Sequence, residues 1–325
     1  MNAPSTLRVR VARKTVEALD ICSFELTSVD GKPLPAFSAG SHVDVHVPNA
    51  GGNLTRQYSL CNDPAESHRY LIGVLKDPAT RGGSKAMHER VKEGDVFEIS
   101  TPKNHFALAH EAKHHLLLAG GIGVTPILCM AERLAVMGGS FEMHYCTRSK
   151  ERTAFIDRIA SSKYASQVTH HFDDGADAQK LDISALLATP QPGTHVYVCG
   201  PKGFMDAVLA TARAAGWPEA QLHYEFFGAA PTATDSDGSF EVQLASSGRI
   251  VVVPKDQTVA QALAAAGVEV MTSCEQGVCG TCITRVLEGA PDHRDLYFTP
   301  EEHAANDQFT PCCSRSKSAR LVLDL

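Results

Sequence analysis

The chain has 325 residues, which is more than one ordinary domain and enough for two or three. Hydrophobic residues at 43% and charged residues at 21% exclude a disordered or fibrous chain, and a net charge of -7 argues against a nucleic-acid binder, which would turn a basic face to phosphates. No run of about 18 apolar residues occurs and the start, MNAPSTLRVRVARK, has no apolar signal core, so no membrane partner is expected and the chain reads as cytoplasmic.

From Leu7 to about Leu108, short alternating runs predict strands at LRVRVARK, ICSFELTS, SHVDVHVP, RQYSLC, RYLIGVLK and VFEIS, broken at PNAGGN and KEGD. Six such strands predict a small antiparallel β-barrel over 1–108. His42 and His46 fall on one face of the third strand; no third ligand accompanies them, so a solvated polar face is expected and not a metal. Arg56-Gln57-Tyr58-Ser59 sets an aromatic ring between an arginine and a hydroxyl, which could wall a flat ring with a phosphorylated tail. A strand with one buried tyrosine explains the same residues more simply. One helix, from about Ser84 to Val91, interrupts the strands behind Gly82 and Gly83. Its free N-H groups, with Arg81 and Lys85 nearby, could hold a phosphate, although an ordinary turn and cap looks the same in sequence.

From His114 the pattern changes to apolar strand, turn and helix in alternation, as in Leu116-Leu117-Leu118 and Val196-Tyr197-Val198. Strands apolar on both faces belong in a parallel sheet, so 109–228 is expected to be a doubly wound α/β nucleotide domain. Its first turn, Gly120-Gly121-Ile122-Gly123-Val124-Thr125-Pro126, reads G-x-G-x-x-P and departs from the dinucleotide fingerprint at its last position. A pyrophosphate on a glycine turn and a helix start remains the expectation, with Pro126 in the first turn where its missing N-H costs nothing. Arg148, after the strand FEMHYCT, could grip a 2′-phosphate and favour NADPH. A later strand ends in Cys199-Gly200-Pro201, where ligands of open α/β sheets bind; with no dedicated histidine partner in view, packing or positioning suits Cys199 better than nucleophilic attack.

Residues 229–238 read as a linker, small, polar and aperiodic, and 239–325 as a third, α+β domain. From Gly238 onward it carries 11 acidic and 7 basic residues, a moderate acidity that could help dock a basic partner or merely keep the surface soluble. Five of the ten cysteines lie in its last 52 residues. Cys274, Cys279 and Cys282 form C-x4-C-x2-C, the plant-type spacing for a 2Fe-2S cluster; zinc knuckles usually pair two short C-x2-C units. Gly277 and Gly280 lie in the loop, where positive φ or close packing is easiest for glycine. The fourth ligand comes from the adjacent Cys312-Cys313, either of which is near enough in sequence. A Rieske centre is not expected, because His293 and His303 lack companion cysteines.

Taken together, Arg-x-Tyr-Ser, Gly-Gly-Ser at Gly82 to Ser84, the G-x-G-x-x-P turn, Cys-Gly-Pro and the cysteine loop with Cys-x-Ser-Arg at Cys312 to Arg315 resemble the phthalate dioxygenase reductase group, which includes vanillate demethylase reductases. The resemblance implies a ferredoxin-reductase-like pair of domains with a β-grasp-like ferredoxin at the C-terminus, using FMN and NADH. It implies that Arg56, Tyr58 and Ser59 line the flavin, that Gly83, Ser84 and Lys85 hold its phosphate, and that Phe227 shields its face. Nicotinamide would displace that ring and bring its reactive carbon near Cys199. The family's Cys-x-Ser-Arg pattern selects Cys312 as the fourth ligand and leaves Cys313 spare, facing away if the segment is extended. The implied activity is an oxidoreductase passing electrons from NADH through flavin and cluster to a separate Rieske-type terminal oxygenase of aromatic degradation. The alternative is a non-catalytic, redox-responsive iron-sulfur binding module, for which the α/β site would be empty.

Overall fold

The computed structural model of the chain describes residues 6–47, 54–78, 82–227, 237–272 and 275–325. They belong to two compact units, Met1–Glu225 and Phe226–Leu325.

The first unit begins with strands β1 (Thr6–Ala18), β2 (Ile21–Ser28), β3 (Ser41–Val47), β4 (Leu54–Ser59) and β5 (Tyr70–Leu75), then helix α1 (Gly83–Glu89), β6 (Val96–Ser100) and the short β7 (Lys103–Asn104). They pair antiparallel in the order β4-β3-β6-β1-β2-β5, with β7 on β3. The two end strands meet where Leu60 bridges Ile72 and the Cys61 amide donates to the Leu71 carbonyl at 2.9 Å. That contact closes the sheet and removes its free edges. Alternate residues point inward, among them Val9, Val11, Phe24, Leu26, Val43, Val45, Ile72 and Val74, and Met87 of α1 joins this core.

One expectation fails here. The polar side of β3 is covered, and His42 is buried against Gln57 and tilted over His105 at 5.5 Å. The reason is topological: β3 lies between β4 and β6, and Gln57, Asp44 and Lys103 supply polar partners on that face, so alternation there does not mean solvent.

The rest of the unit is a five-stranded parallel sheet of β8 (His114–Gly120), β9 (Phe141–Thr147), β10 (Val168–Phe172), β11 (Thr194–Cys199) and β12 (Leu222–Glu225), ordered β10-β9-β8-β11-β12. Helices α2 (Val124–Met137), α3 (Ile156–Ala160), α4 (Ile183–Leu186) and α5 (Lys202–Ala214) connect them. The order reverses between β8 and β11, the place where open α/β sheets bind ligands beyond their strand ends. Ile21, Ala39, Cys61 and Phe106 share one apolar core with Leu117, Ile127, Leu128 and Tyr145, so barrel and sheet are joined by packing.

The second unit contains β13 (Phe240–Leu244), β14 (Ile250–Val253), α6 (Val259–Ala265), β15 (Thr284–Glu288), β16 (Pro291–Asp292), α7 (Pro300–Ala305), β17 (Gln308–Phe309), β18 (Arg315–Ser316) and β19 (Arg320–Leu323). Its main sheet runs β14-β13-β19-β15-β17, with β13 and β19 parallel and the other pairs antiparallel, while β16 pairs β18. Capping boxes start both helices, Thr258 with Gln261 and Thr299 with Glu302. Helix α6 buries Val259, Ala262 and Leu263 against Val242, Val253, Leu321 and Leu323, the core expected of a β-grasp-like domain.

Candidate functional site

At the switch point of the first unit, two strand ends touch through bare backbone. A Cβ on Gly123 would collide with the carbonyl of Cys199, and one on Gly120 would lie 2.9 Å from the Pro201 ring and 3.3 Å from the Gly200 Cα. Glycine is needed at 123 because the neighbour is main chain and cannot yield, while at 120 a side chain would crowd the rings of Phe204 and Pro201. Gly121 and Gly123 form a single 3-10 turn that feeds α2, and the Thr125 hydroxyl donates to the Ile122 carbonyl at 3.0 Å. Thr125 is buried, and its methyl lies close enough to Gly73 of β5 that a Cβ there would stand 2.8 Å away. Pro126 is the third residue of α2, where no intrahelical donor is lost. Arg148 stands exposed just beyond β9.

Cys199 and Glu225 are register partners on β11 and β12. Ser59, at the end of barrel strand β4, donates its hydroxyl to Glu225 Oε2 at 3.5 Å. Burial pushes the Glu225 carboxyl up to about 7, with the Ser59 hydrogen bond opposing. Burial first, and then the Glu225 charge, hold the Cys199 thiol well above its usual range, so it stays protonated. A buried neutral thiol is a poor nucleophile and a good wall, in keeping with a positioning role. Sequence reasoning missed Glu225: an acidic residue ending a strand carries no local signal, and only the pairing with Cys199 marks it.

The barrel contributes a second wall. Burial pushes the Tyr58 hydroxyl far above its usual range. The Arg56 side chain lies over the start of α1, where a Cβ on Gly83 would meet its Cγ at 2.9 Å and its Nε at 3.0 Å. Thus Arg56, Gly82, Gly83, Ser84 and the exposed Lys85 stand near one another at one end of β4, a cradle that a side chain at 83 would fill. The Ser84 hydroxyl accepts the Asp77 amide at 3.2 Å. Gln57 points elsewhere: its carboxamide donates to Asp44 Oδ1 at 2.9 Å and pins β4 to β3. Arg81 lies outside the described residues. Phe227 belongs to the second unit and is exposed.

In the second unit the cysteine loop has the backbone expected of it. Gly277 and Gly280 take φ of 70° and 68°, the left-handed region that glycine enters without strain. Side chains there would strike the Cys313 sulfur and the Tyr297 ring respectively. Cys282, Cys312 and Cys313 are buried in one cluster and Cys279 is half-buried, its thiol 3.2 Å from Thr281 Oγ1. Cys274 lies outside the described residues. Thiols as the donor set and a glycine-bent loop fit a 2Fe-2S cluster.

Cys313 does not face away. Residues 311–313 form a turn and not an extended segment, with the Ser314 amide bonded to the Thr310 carbonyl at 2.9 Å, so both adjacent thiols are buried. Arg315 anchors the turn: its guanidinium donates to the carbonyls of Gln257 at 2.8 Å and Gly238 at 3.0 Å and sits 5.2 Å over the Phe240 ring.

Comparison with known proteins adds to this geometry. The family described as "2Fe-2S iron-sulfur cluster binding domain" matches residues 242–317, and "Dimethylamine monooxygenase subunit DmmA-like, N-terminal domain" matches 100–222. The chain is 55% identical to a vanillate O-demethylase oxidoreductase of Pseudomonas sp. strain HR199, over 98% of this chain and all of that one. It is 42% identical to the phthalate dioxygenase reductase of Burkholderia cepacia, over 98% and 97% of the two chains. A solved phthalate dioxygenase reductase, described as a modular structure for electron transfer from pyridine nucleotides to 2Fe-2S, superposes with a TM-score of 0.82 over 99% of this chain and 98% of that one, at 42% identity.

Proposed function

The chain belongs to the phthalate dioxygenase reductase family, and from that premise we propose that it is the reductase component of an oxygenase system, an NADH-dependent flavin and iron-sulfur oxidoreductase that serves a separate Rieske-type terminal oxygenase. The observation that carries the reading is the meeting of Ser59, from the barrel, with Glu225 and Cys199, from the edge of the parallel sheet. A flat ring on the barrel wall and a nicotinamide on the strand ends would face each other there. The terminal substrate is a small aromatic acid or ether of the vanillate type, by analogy with the most similar relatives.

A bound FMN would supply the conversion between hydride transfer from NADH and single-electron transfer to the cluster. The protein's own work is positioning. Arg56, Gly82, Gly83, Ser84 and Lys85 hold the flavin phosphate by charge and by backbone donors, and Tyr58 and Ser59 bound the ring. Gly120, Gly121, Gly123, Thr125 and Pro126 bring backbone close to the dinucleotide pyrophosphate, and Gly200 and Pro201 with Cys199 set the depth of the nicotinamide. Phe227 would shield the flavin face, the role the family resemblance implies for it. Arg148, exposed beyond β9, would face the adenosine side, and the family resemblance points to NADH as the donor. Ser59 and Glu225 hold a proton beside the reacting rings, at a carboxyl poised near neutral pH. Cys274, Cys279, Cys282 and Cys312 hold the cluster, and Cys313 is a buried spare. Among the described residues no helix is long and apolar enough to cross a membrane, and a reducing cytoplasm suits ten thiols of which five are clustered.

The test is anaerobic mixing of the purified protein with NADH, followed at flavin and cluster wavelengths. Flavin bleaching followed by cluster reduction is expected, with NADH-dependent turnover on adding a terminal oxygenase; no bleaching would sink the reading. In the same assay Cys312→Ser abolishes output to protein acceptors and leaves ferricyanide reduction nearly intact. If Cys313→Ser does this and Cys312→Ser does not, the ligand assignment is reversed. Heat release and mass measurement of the flavin distinguishes FMN from FAD.

A further inference from the structure

Beside the cysteine loop, the second unit holds another set of ligand-type side chains that electron transfer does not use. His293, Asp295 and His303 each bring one ring nitrogen or carboxylate oxygen to within 4.8 Å of the others. The Asp295 carboxylate is fully buried. Its Oδ2 accepts the amides of Tyr297 at 3.2 Å and Phe298 at 3.0 Å and lies 3.1 Å from His303 Nε2. Its Oδ1 accepts the Ser314 hydroxyl at 3.4 Å and stands 3.8 Å from His293 Nδ1.

The state of His293 makes this more than a polar cluster. Its side chain is 7% exposed, and Nδ1 is a buried polar atom without a hydrogen-bond partner among the described residues. Its other nitrogen, Nε2, is 3.2 Å from Asn306 Oδ1. The orientation of that amide is fixed, because Asn306 Nδ2 donates to the Ala304 carbonyl at 3.3 Å. Since a carbonyl oxygen only accepts, Nε2 carries the hydrogen and Nδ1 presents a lone pair toward a carboxylate oxygen. Burial and then the stacked His303 ring, 4.4 Å away, lower the His293 pKa and keep the ring neutral. A lone pair facing a carboxylate at that range is unfavourable unless a cation lies between them.

We propose that His293 Nδ1, His303 Nε2 and an Asp295 oxygen form a binding site for one divalent late-first-row metal ion, with zinc the ion that fits best. Two imidazoles and one carboxylate suit zinc, nickel or copper and disfavour magnesium and calcium, which take oxygen donors. His303 Nε2 stands 3.1 Å from Asp295 Oδ2 and His293 Nδ1 3.8 Å from Oδ1, and one ligand atom from each residue lies within 4.8 Å of the others, a spread that small side-chain movements bring to the edge of about 3.3 Å that a tetrahedral ion with bonds of about 2.0 to 2.1 Å requires. The outer partners are those a metal histidine uses: Asn306 fixes the tautomer of His293, and Ser314 bonds the carboxylate. His303, whose side chain is 28% exposed, leaves an entry path and room for a water as fourth ligand.

The ion would fasten α7, which carries His303, to the segment before it. That segment supports the cysteine loop, for the Leu296 amide donates to the Gly277 carbonyl at 2.9 Å. The site stands independently of the reductase reading, since it needs only these side chains.

Tag-free holoprotein is dialysed against buffered zinc and, in parallel, calcium and magnesium, and metals and acid-labile sulfide are then measured. Zinc at one per chain is expected beside undiminished iron, with neither calcium nor magnesium retained, and His293→Ala and His303→Ala each lower the retained zinc at least tenfold. Asn306→Gly, which keeps the positive φ of that helix end and removes the carbonyl, is expected to weaken zinc binding about 10 to 100-fold with iron intact, and it serves if the histidine variants lose the cluster. The proposal is overturned if the wild type retains no zinc, which would leave only the His303 to Asp295 hydrogen bond. It is equally overturned if zinc enters at the expense of iron, or if Asn306→Gly and whichever histidine variant keeps its iron bind as much zinc as the wild type.

Discussion

Glu225 shows how far one residue's chemistry can depart from its type. An acid whose folded pKa is raised to about 7 keeps its proton in a range where the unfolded chain, near the ordinary value of 4.5, has lost it. The folded state then binds more protons than the unfolded between those limits, so this group's contribution to stability is complete below about 4.5 and is lost as pH rises through 7. Glu225→Gln removes the penalty. At pH 8 the variant should be more stable than the wild type by on the order of 3 kcal/mol, from 1.36 kcal/mol per pH unit, and near pH 4 the two should converge. Urea unfolding at both pH values measures this, and parallel curves would show that Glu225 titrates normally. The same variant should oxidise NADH with a flattened pH profile, because its amide accepts from Ser59 but takes up no proton. Such a residue is invisible in the sequence. Cys312 and Cys313 are the converse case, with two thiols visible at once and their orientation decided by a turn that the alternation rule does not foresee.

At the scale of elements, the contact between the two glycine turns makes a specific demand. Gly123→Ala would place a methyl group against the carbonyl of Cys199, which is backbone, so the ends of β8 and β11 would have to separate. Overpacking of this kind costs about 1 to 3 kcal/mol. The KM for NADH should rise with it, while flavin and iron content stay at wild-type levels; an unchanged KM would mean that the dinucleotide does not depend on this contact. The strands were legible because their periodicities are local: alternation in β1 to β6 and apolar runs in β8 and β11. Three features were not. Barrel closure rests on the bridge between Leu60 and Ile72, a long-range contact. The burial of His42 depends on neighbours from β4 and β7 that share its face. The start of α3 at Ile156 is set by Phe155, whose φ of 60° is a backbone feature that no periodicity announces.

For the whole molecule, the sequence divides the chain into barrel, α/β domain and ferredoxin-like domain, whereas packing divides it in two. The difference lies in what each criterion measures. Architecture changes near residue 109, but the core does not, since Phe106 and Cys61 pack in the same cluster as Leu117 and Tyr197. The second unit has a separate core around Val242, Leu263 and Leu321. Cooperativity follows shared burial, so the full chain should unfold in two transitions and not three. Barrel and parallel sheet should melt together, releasing flavin in one step, and loss of cluster absorbance should report the other. Cys312→Ser should lower only the midpoint of the cluster-bearing unit, because a bound cofactor stabilises the unit that holds it. Urea titration read at flavin fluorescence, cluster absorbance and far-ultraviolet dichroism distinguishes the cases. Coincident curves at all three would mean that the two cores unfold as one, and a separate step for the barrel would mean that the core shared through Phe106 and Cys61 is too weak to couple it to the sheet.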